Sequence, residues 1–221
     1  MPSHSLAYAL GIVFNRIVPA NVFRFRRFVV YELELPASQH GGATAASGLT
    51  IVRCDSASDR RLAESISRTE FSPQDPQRDQ HTYWLAKTDL SPVGGLWVAQ
   101  KSFDEIELGI RIVLPPRSGW IFSAYVDKSH RQSGVYGRLL ATVLSDAEIN
   151  PAFAAINPVN RASMAAHRHF VRRTVGYCTA FRVGPIAFCS ARGDLIVDKF
   201  CSRRSREHPI LVRLPGGTDS T

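Results

Sequence analysis

Residues 120–140, WIFSAYVDKSHRQSGVYGRLL, constrain the fold of this chain more than any other segment. An apolar run at 121–126 has the length and the β-favouring composition of a strand. A polar loop follows. Apolar residues at 135–144 then recur at helical spacing, with Gly134 and Gly137 flanking the start of the helix. The segment therefore predicts a strand, a loop and a helix in direct succession.

A connection of this kind can bind an anion. The first backbone N–H groups of a helix have no partner within the helix, and they lie at the positive end of its dipole. Arg131 and Arg138 add positive charge beside them. The alternative is an ordinary strand-to-helix connection whose glycines only let the chain turn. The pattern RxxGxxG by itself leaves both interpretations open.

The composition is that of a soluble globular protein with a substantial core, since 44% of the 221 residues are hydrophobic and 21% are charged. The net charge of +8 favours polyanionic partners: nucleic acid, anionic lipid or a phosphate-rich cofactor. Most basic residues are dispersed, whereas a nucleic-acid-binding protein needs basic and stacking residues clustered on one face. A cofactor with several phosphates explains part of the excess, so we expect no nucleic acid.

The four cysteines are Cys54, Cys178, Cys189 and Cys201. They lack CxxC spacing and nearby histidines, which argues against zinc or any other metal. Reduced thiols in a cytoplasmic protein are the simpler interpretation, and two disulfides are the alternative.

Residues 1–27 are apolar and basic, but their arginines follow the apolar run, unlike those of a signal peptide. The run at 6–18 is too short to span a bilayer and predicts a short helix that ends near Pro19. This helix either packs on the main domain or makes weak peripheral contact with anionic lipid at the inner membrane face. A Gly-, Ala- and Ser-rich stretch at 36–48 predicts a linker.

Hydrophobic periodicity predicts further strands and helices. Strands are expected at 28–35, 49–54, 82–87, 93–101, 106–114, 152–156, 174–183 and 186–191, and helices at 59–71, 135–148 and 160–170. Their order predicts an α/β (α+β) fold with a mixed, mostly antiparallel central sheet flanked by helices. We assign 1–48 to an N-terminal extension, 49–200 to the main domain and 201–221 to a poorly structured basic tail.

Two blocks of sequence resemble the GCN5-related N-acetyltransferase family. The family's acetyl-CoA loop, Arg/Gln-x-x-Gly-x-Gly/Ala, lies between a central strand and a helix, and here it falls on RQSGVY at 131–136. Arg131 and Gly134 match the pattern, whereas Tyr136 stands where Gly or Ala is usual and Gly137 comes one place later. The resemblance extends over roughly residues 49–191 and is strongest over 119–170.

The second block, INPVNRASMAAHRHF at 156–170, resembles the family's Asn-x-x-Ala/Ser-x-x-x-Tyr segment through Asn160, Ser163 and His167. The resemblance implies acetyl-CoA, or another acyl-CoA, as co-substrate. Strand backbone would pair with pantetheine, and loop amides would hold the pyrophosphate. The cofactor-binding residues implied are Ala124, Tyr125, Val126, Arg131, Gln132, Ser133, Gly134, Val135, Tyr136, Gly137, Asn157, Asn160 and Ser163. A solvated Arg131 and a purely helix-capping Asn160 are the alternatives.

The catalytic candidates also follow from the resemblance. His167 takes the position where relatives commonly have a tyrosine that protonates the CoA thiolate, and histidine can exchange protons near neutral pH. Glu105 and Glu107 stand where the family often keeps a carboxylate, and alternation in a strand would place them on one face. A half-buried histidine and solvated glutamates are the alternatives.

Five aromatic residues could line an acceptor pocket, although aromatic residues at strand spacing are more often core. They are Tyr83, Trp84, Trp97, Phe103 and Trp120.

The sequence thus leads to one functional hypothesis and one alternative. The first is an acyl-CoA-dependent N-acyltransferase that moves acetyl from acetyl-CoA to a primary amine of a small molecule or amino sugar, by direct attack in a ternary complex. The alternative is a non-catalytic acyl-CoA-binding or sensor module of the same fold. Monomer and homodimer both remain open.

Overall fold

The computed structural model describes residues 13–15, 17–19, 22–36, 48–55, 58, 61, 62, 66, 80–88, 91–203 and 208–217. The strands and helices within them are β1 (Phe23–Leu33), β2 (Thr50–Cys54), β3 (His81–Lys87), β4 (Pro92–Ala99), β5 (Ser102–Glu105), β6 (Ile110–Val113), β7 (Gly119–Val126), α1 (Val135–Leu144), β8 (Ala152–Ile156), α2 (Arg161–His167), β9 (Val171–Val183), β10 (Ile186–Gly193), β11 (Ile196–Val197), β12 (Cys201–Arg203) and β13 (Ile210–Arg213). A short 3-10 turn, Lys128–His130, follows β7.

The expected fold class is confirmed. Nine strands form one sheet in the order β12-β10-β9-β1-β8-β7-β4-β3-β2, and four form a second sheet in the order β11-β13-β6-β5. Only β7–β8 and β13–β6 pair in parallel among the described strands, so the architecture is mixed and mostly antiparallel. The hairpin predicted at 82–101 is β3–β4.

The larger sheet has a different cover on each face. On one face, Leu139, Leu140 and Val143 of α1 pack against apolar residues of β4, β7 and β8. On the other face, the second sheet packs through Ile110, Val212 and their neighbours against β1, β9 and β10. The sequence predicted helices as the cover; the second sheet was not predicted.

The N-terminal strand lies in the middle of the larger sheet. β1 begins five residues earlier than expected, pairs antiparallel with β9 from Phe23 to Leu33, and pairs with β8 on its other edge. The sequence analysis assigned residues 28–35 to an N-terminal extension, whereas the described part of this strand belongs to the larger sheet. Alternation of apolar and polar residues identifies a strand but not the strands that pair with it. The linker proposed at 36–48 falls mostly outside the described residues, and the other domain boundaries stay a prediction.

Two further expectations were wrong. Residues 106–114 form no continuous strand, because the chain turns after β5 and returns as β6. The tail is not poorly structured where it is described: β13 pairs in parallel with β6, and its inward side chains Ile210 and Val212 are fully buried. Residues 204–207 and 218–221 lie outside the described part.

The helix expected at 59–71 is described only at residues 61, 62 and 66, which are helical. Of the helix expected at 6–18, residues 13–15 and 17 are described as helical. None of the helices in the described part of the chain has the length and hydropathy that crossing a bilayer requires.

All four cysteines are free, and the buried sulfurs of Cys178 and Cys189 lie 3.5 Å apart.

Candidate functional site

A bulge bends β7 where its pairing with β8 ends. The β7–β8 ladder covers Gly119 to Ile121, although β7 continues to Val126. Opposite β4, two residues of β7 face one residue of its partner, and the bulged Ser123 has a positive φ of 47°. Bulges of this kind redirect a strand and are common near binding sites. The second half of β7 therefore leaves its parallel neighbour and leads into the loop.

The loop after β7 is held by its own hydrogen bonds. The Asp127 carboxylate accepts from the Ser129 backbone N–H at 2.9 Å, and the hydrogen bonds from Ser129 lower the pKa of Asp127. Arg131 Nε donates to the Val126 carbonyl at 3.1 Å, and Ser133 Oγ donates to the His130 carbonyl at 2.6 Å. The loop thus has a defined shape that places Arg131 on the surface beside the end of β7.

Helix α1 begins at an exposed terminus without a side-chain cap. Gly134 is its N-cap in the left-handed region, with φ 81°, and its first turn contains no acidic residue. A Cβ added at Gly134 or Gly137 would have no atom within 4 Å. The first amides of the helix therefore lack partners within the helix, and both glycines have open space beside them. An anion bound at these amides stays a prediction.

The half-buried Tyr136 and the buried His167 form a pair that joins the two helices. The Tyr136 hydroxyl lies 2.7 Å from His167 Nε2, and His167 Nδ1 lies 2.8 Å from the Ser163 carbonyl oxygen. Because a carbonyl only accepts, Nδ1 bears the hydrogen of the neutral ring, and Nε2 accepts from the tyrosine. Burial lowers the pKa of His167 and raises that of Tyr136. Both groups are therefore neutral at physiological pH.

The sequence singled out both residues of this pair but not their contact. Tyr136 and His167 are the two positions at which the sequence departs from the patterns that it resembles. These two departures were the available signal that the residues at these positions are in contact.

The asparagines of the second block make local hydrogen bonds. Asn160 caps α2 by accepting from the Ser163 N–H at 3.1 Å, and Asn157 accepts from the Val159 N–H at 3.1 Å. The structure thus places Asn157, Asn160 and Ser163 together at the start of α2. Their contact with a cofactor stays a prediction.

Glu105 and Glu107 do not share a strand face. Glu105 ends β5, and Glu107 lies in the turn that follows. Arg26 of β1 binds both carboxylates, at 2.6 and 2.7 Å, and Arg24 lies 3.3 Å from Glu107. Burial raises the pKa of Glu105, although Arg26 opposes the rise. These ion-pair partners belong to β1 and not to the loop after β7.

Most of the aromatic residues singled out from the sequence lie on the sheet face opposite α1. Tyr83 and Trp97 have ring centroids 4.8 Å apart, and those of Phe103 and Phe122 are 4.6 Å apart. Trp84 instead belongs to the core beside α1, because its neighbour Tyr83 takes the other face. Sequence reasoning missed Phe122. The described residues contain no group of three or more His, Cys, Asp and Glu side chains that could hold a metal ion.

No protein-family model matches this sequence, and no curated protein matches it. Among solved structures, a GCN5-related N-acetyltransferase from Kribbella flavida is 17% identical over 68% of this chain and 53% of its own, with a TM-score of 0.38. A conserved protein of unknown function from Staphylococcus epidermidis ATCC 12228 is 11% identical over 79% of this chain and 66% of its own, with a TM-score of 0.50. An aminoglycoside acetyltransferase from an uncultured soil metagenomic sample, in complex with sisomicin, is 16% identical over 56% of this chain and 88% of its own, with a TM-score of 0.38.

The chain thus spans about half the length of the Kribbella protein and 66% of the Staphylococcus protein. At these identities the likenesses concern the fold alone, and only the Staphylococcus structure overlaps closely enough to support it.

Proposed function

We propose that this chain is an acyl-CoA-dependent N-acyltransferase, most simply an N-acetyltransferase that acts on a primary amine of a small molecule or amino sugar. The main observation in favour is the continuity of three features. β7 bends at the point where its ladder with β8 ends, runs directly into a structured loop, and reaches the uncapped N-terminus of α1.

In this proposal the CoA molecule follows that path. The backbone of Ala124–Val126 pairs with the pantetheine arm, and the amides of Gly134–Gly137 hold the pyrophosphate with Arg131, Gln132 and Ser133 beside it. Asn157, Asn160 and Ser163 approach the arm from the start of α2 and the turn before it. Binding both substrates in line converts the reaction into an effectively unimolecular step, which can contribute about 7–11 kcal/mol.

The chemistry requires proton transfers at two atoms. The amine nitrogen attacks the thioester carbonyl carbon, the carbon–sulfur bond breaks, the leaving thiolate takes up a proton, and the new amide nitrogen loses one. A neutral His167 has no proton to give through Nε2, whereas the Tyr136 hydroxyl has one. We therefore assign the proton donor to Tyr136 and a positioning role to His167.

The base for the amine proton is assigned to Glu105 or Glu107. The raised pKa of Glu105 favours proton uptake, and its ion pair with Arg26 is the competing structural role. The aromatic group on the side of the larger sheet that faces the second sheet, which includes Phe103 and Phe122, is assigned to the acceptor pocket. Free thiols suit a reducing compartment, so we place the enzyme in the cytoplasm.

Acetyl-CoA binding, measured by calorimetry, tests this function. Gly137 has an ordinary φ and open space, so Gly137→Glu places a negative charge at the proposed pyrophosphate site without steric cost. The matched control is Thr142→Glu, which adds the same charge in the same helix beyond its first turn. We expect saturable binding by the wild type and the control, with loss in Gly137→Glu. If no acyl-CoA binds the wild type, the transferase function is refuted.

An amine-acceptor screen then separates enzyme from binding module. The closed Tyr136–His167 pair favours the alternative, a non-catalytic acyl-CoA sensor, since each side chain already satisfies the other. We expect turnover in the wild type, a large loss in Tyr136→Phe and a smaller loss in His167→Ala. Binding without turnover for any amine would instead identify the sensor.

A further inference from the structure

An apolar surface covers the outer side of β9 and β10, on the face of the larger sheet that is turned away from the second sheet. Side chains alternate along β9 and β10, so Cys178, Ala180 and Cys189 are buried against the second sheet and their neighbours face outward. We call the outward set the β9–β10 face. Its apolar members are Tyr177, Phe181, Val183, Ile186, Phe188 and the adjoining Phe200, and the polar cross-strand pair Thr179 and Ser190 separates Tyr177 from the others.

The β9–β10 face is exposed, and its apolar part is continuous from Phe181 and Phe188 to the turn between the two strands. The rings of Phe181 and Phe188 stack at 4.6 Å, and Phe188 meets Phe200 at 5.8 Å. Val183 and Ile186 are cross-strand partners, exposed by 50% and 42%, and Phe200 is exposed by 62%. Monomeric proteins seldom expose a large contiguous apolar patch without a function for it.

The N-terminal segment extends this face. Phe23 of β1 is the cross-strand partner of Val183, and its ring lies 5.8 Å from that of Phe14. Val22, exposed by 47%, accepts a hydrogen bond at its carbonyl from the Gly184 N–H at the turn between β9 and β10. Phe14, Val22 and Phe23, which belong to the segment expected to contact lipid, therefore adjoin the β9–β10 face.

The charges on the β9–β10 face are all positive. Arg192 is the cross-strand partner of Tyr177, and Arg203 is the partner of Ile186. No Asp or Glu occurs at 177–183, 186–192 or 201–203. Among the described residues, no carboxylate forms an ion pair with either arginine, whereas Arg26 on the opposite face is neutralised by two glutamates.

We propose that the β9–β10 face docks on an anionic lipid surface. Such a surface offers an apolar layer for Phe200 and Ile186 and negative head groups for Arg192 and Arg203. A second copy fits less well, because a two-fold contact would bring the same arginines together between chains of net charge +8. This inference does not depend on the proposed acyl transfer.

Vesicle flotation with the full chain tests the proposal. Phosphatidylcholine vesicles with about 30 mol% phosphatidylserine should bind the protein, pure phosphatidylcholine should bind it much less, and high salt should release it. Arg192→Gln with Arg203→Gln should weaken binding by roughly tenfold or more. Phe200→Ser with Ile186→Ser should weaken it similarly.

The control for the arginine variant is Lys87→Gln with Lys101→Gln, which removes two positive charges outside the β9–β10 face. The control for the apolar variant is Ile196→Ser, because the Ile196 side chain is 63% exposed and lies in the other sheet. The controls should bind vesicles as the wild type does, and acetyl-CoA affinity should stay the same in every variant. Equal binding to neutral vesicles, or no vesicle binding by the wild type, overturns the proposal. A concentration-dependent dimer in sedimentation that Phe200→Ser abolishes assigns the face to a second copy and also overturns it.

Discussion

The Tyr136–His167 pair gives the sharpest prediction for the fold. Tyr136→Phe removes one O–H of α1 and keeps the ring in its place beside His167 of α2. His167, only 5% exposed, then has a buried Nε2 without its donor. An unsatisfied buried acceptor costs about 1–3 kcal/mol. For a chain of this size that corresponds to a fall in Tm of roughly 2–12 °C.

The pH dependence has a defined sign. Burial lowers the pKa of His167 in the folded state below its ordinary 6.5, so the native ring stays neutral where the unfolded ring takes up a proton. Stability from this group is therefore complete above pH ~6.5 and is lost as pH falls toward the folded pKa, with a slope of at most about 1.4 kcal/mol per pH unit.

Urea unfolding at several pH values measures both effects in a double-mutant cycle. Because Tyr136→Phe/His167→Leu removes donor and acceptor together, we expect it to be more stable than the sum of the single variants by about 0.5–3 kcal/mol. The double variant should also lose the His167 contribution below pH ~6.5. Strict additivity, or a wild-type Tm unchanged by Tyr136→Phe, would refute the pairing deduced above.

Three further outcomes are expected. Gly137→Ala should stabilise α1 by about 1 kcal/mol, because the added Cβ contacts no other atom, and it should weaken acetyl-CoA binding. Thr142→Ala in the same helix is the control and should leave binding unchanged. Unaltered acetyl-CoA affinity in Gly137→Ala would count against the pyrophosphate site. Ile210→Ala should cost about 2–5 kcal/mol in urea unfolding, because Ile210 is fully buried. Ile196→Ala, at an exposed position, should stay within about 0.5 kcal/mol of the wild type. Glu105→Gln should reduce acyl transfer at saturating amine if this carboxyl is the base, and an unchanged rate would assign it to the Arg26 ion pair alone.

Local features of this fold were predictable from the sequence. The strand, loop and helix of residues 120–140 were predicted because an apolar run, a polar break and two glycines act on the backbone within a few residues. The β3–β4 hairpin and the cap that Asn160 gives α2 follow in the same way, since a turn and a cap depend on neighbours in the chain.

Pairing between distant segments was not predictable. Alternation identified the N-terminal strand, but only the folded sheet decided that it lies between β8 and β9, more than a hundred residues away in the chain. The strand in the tail was not predicted for the same reason. The alternation of Ile210 and Val212 extends over too few residues to identify a strand, and only parallel pairing with β6 buries these two side chains. A side chain's burial depends on which strand arrives beside it.

In the candidate site, too, local features were predictable from the sequence and contacts between elements were not. The sequence by itself determined which residues form the loop and the helix terminus, because φ freedom at Gly134 and the missing partners of the first amides are properties of the local backbone. Only the tertiary structure decided that Tyr136 donates to His167 and that Arg26 binds Glu105 and Glu107. Those contacts join residues from different elements, and they exist only once the sheet has set the elements side by side.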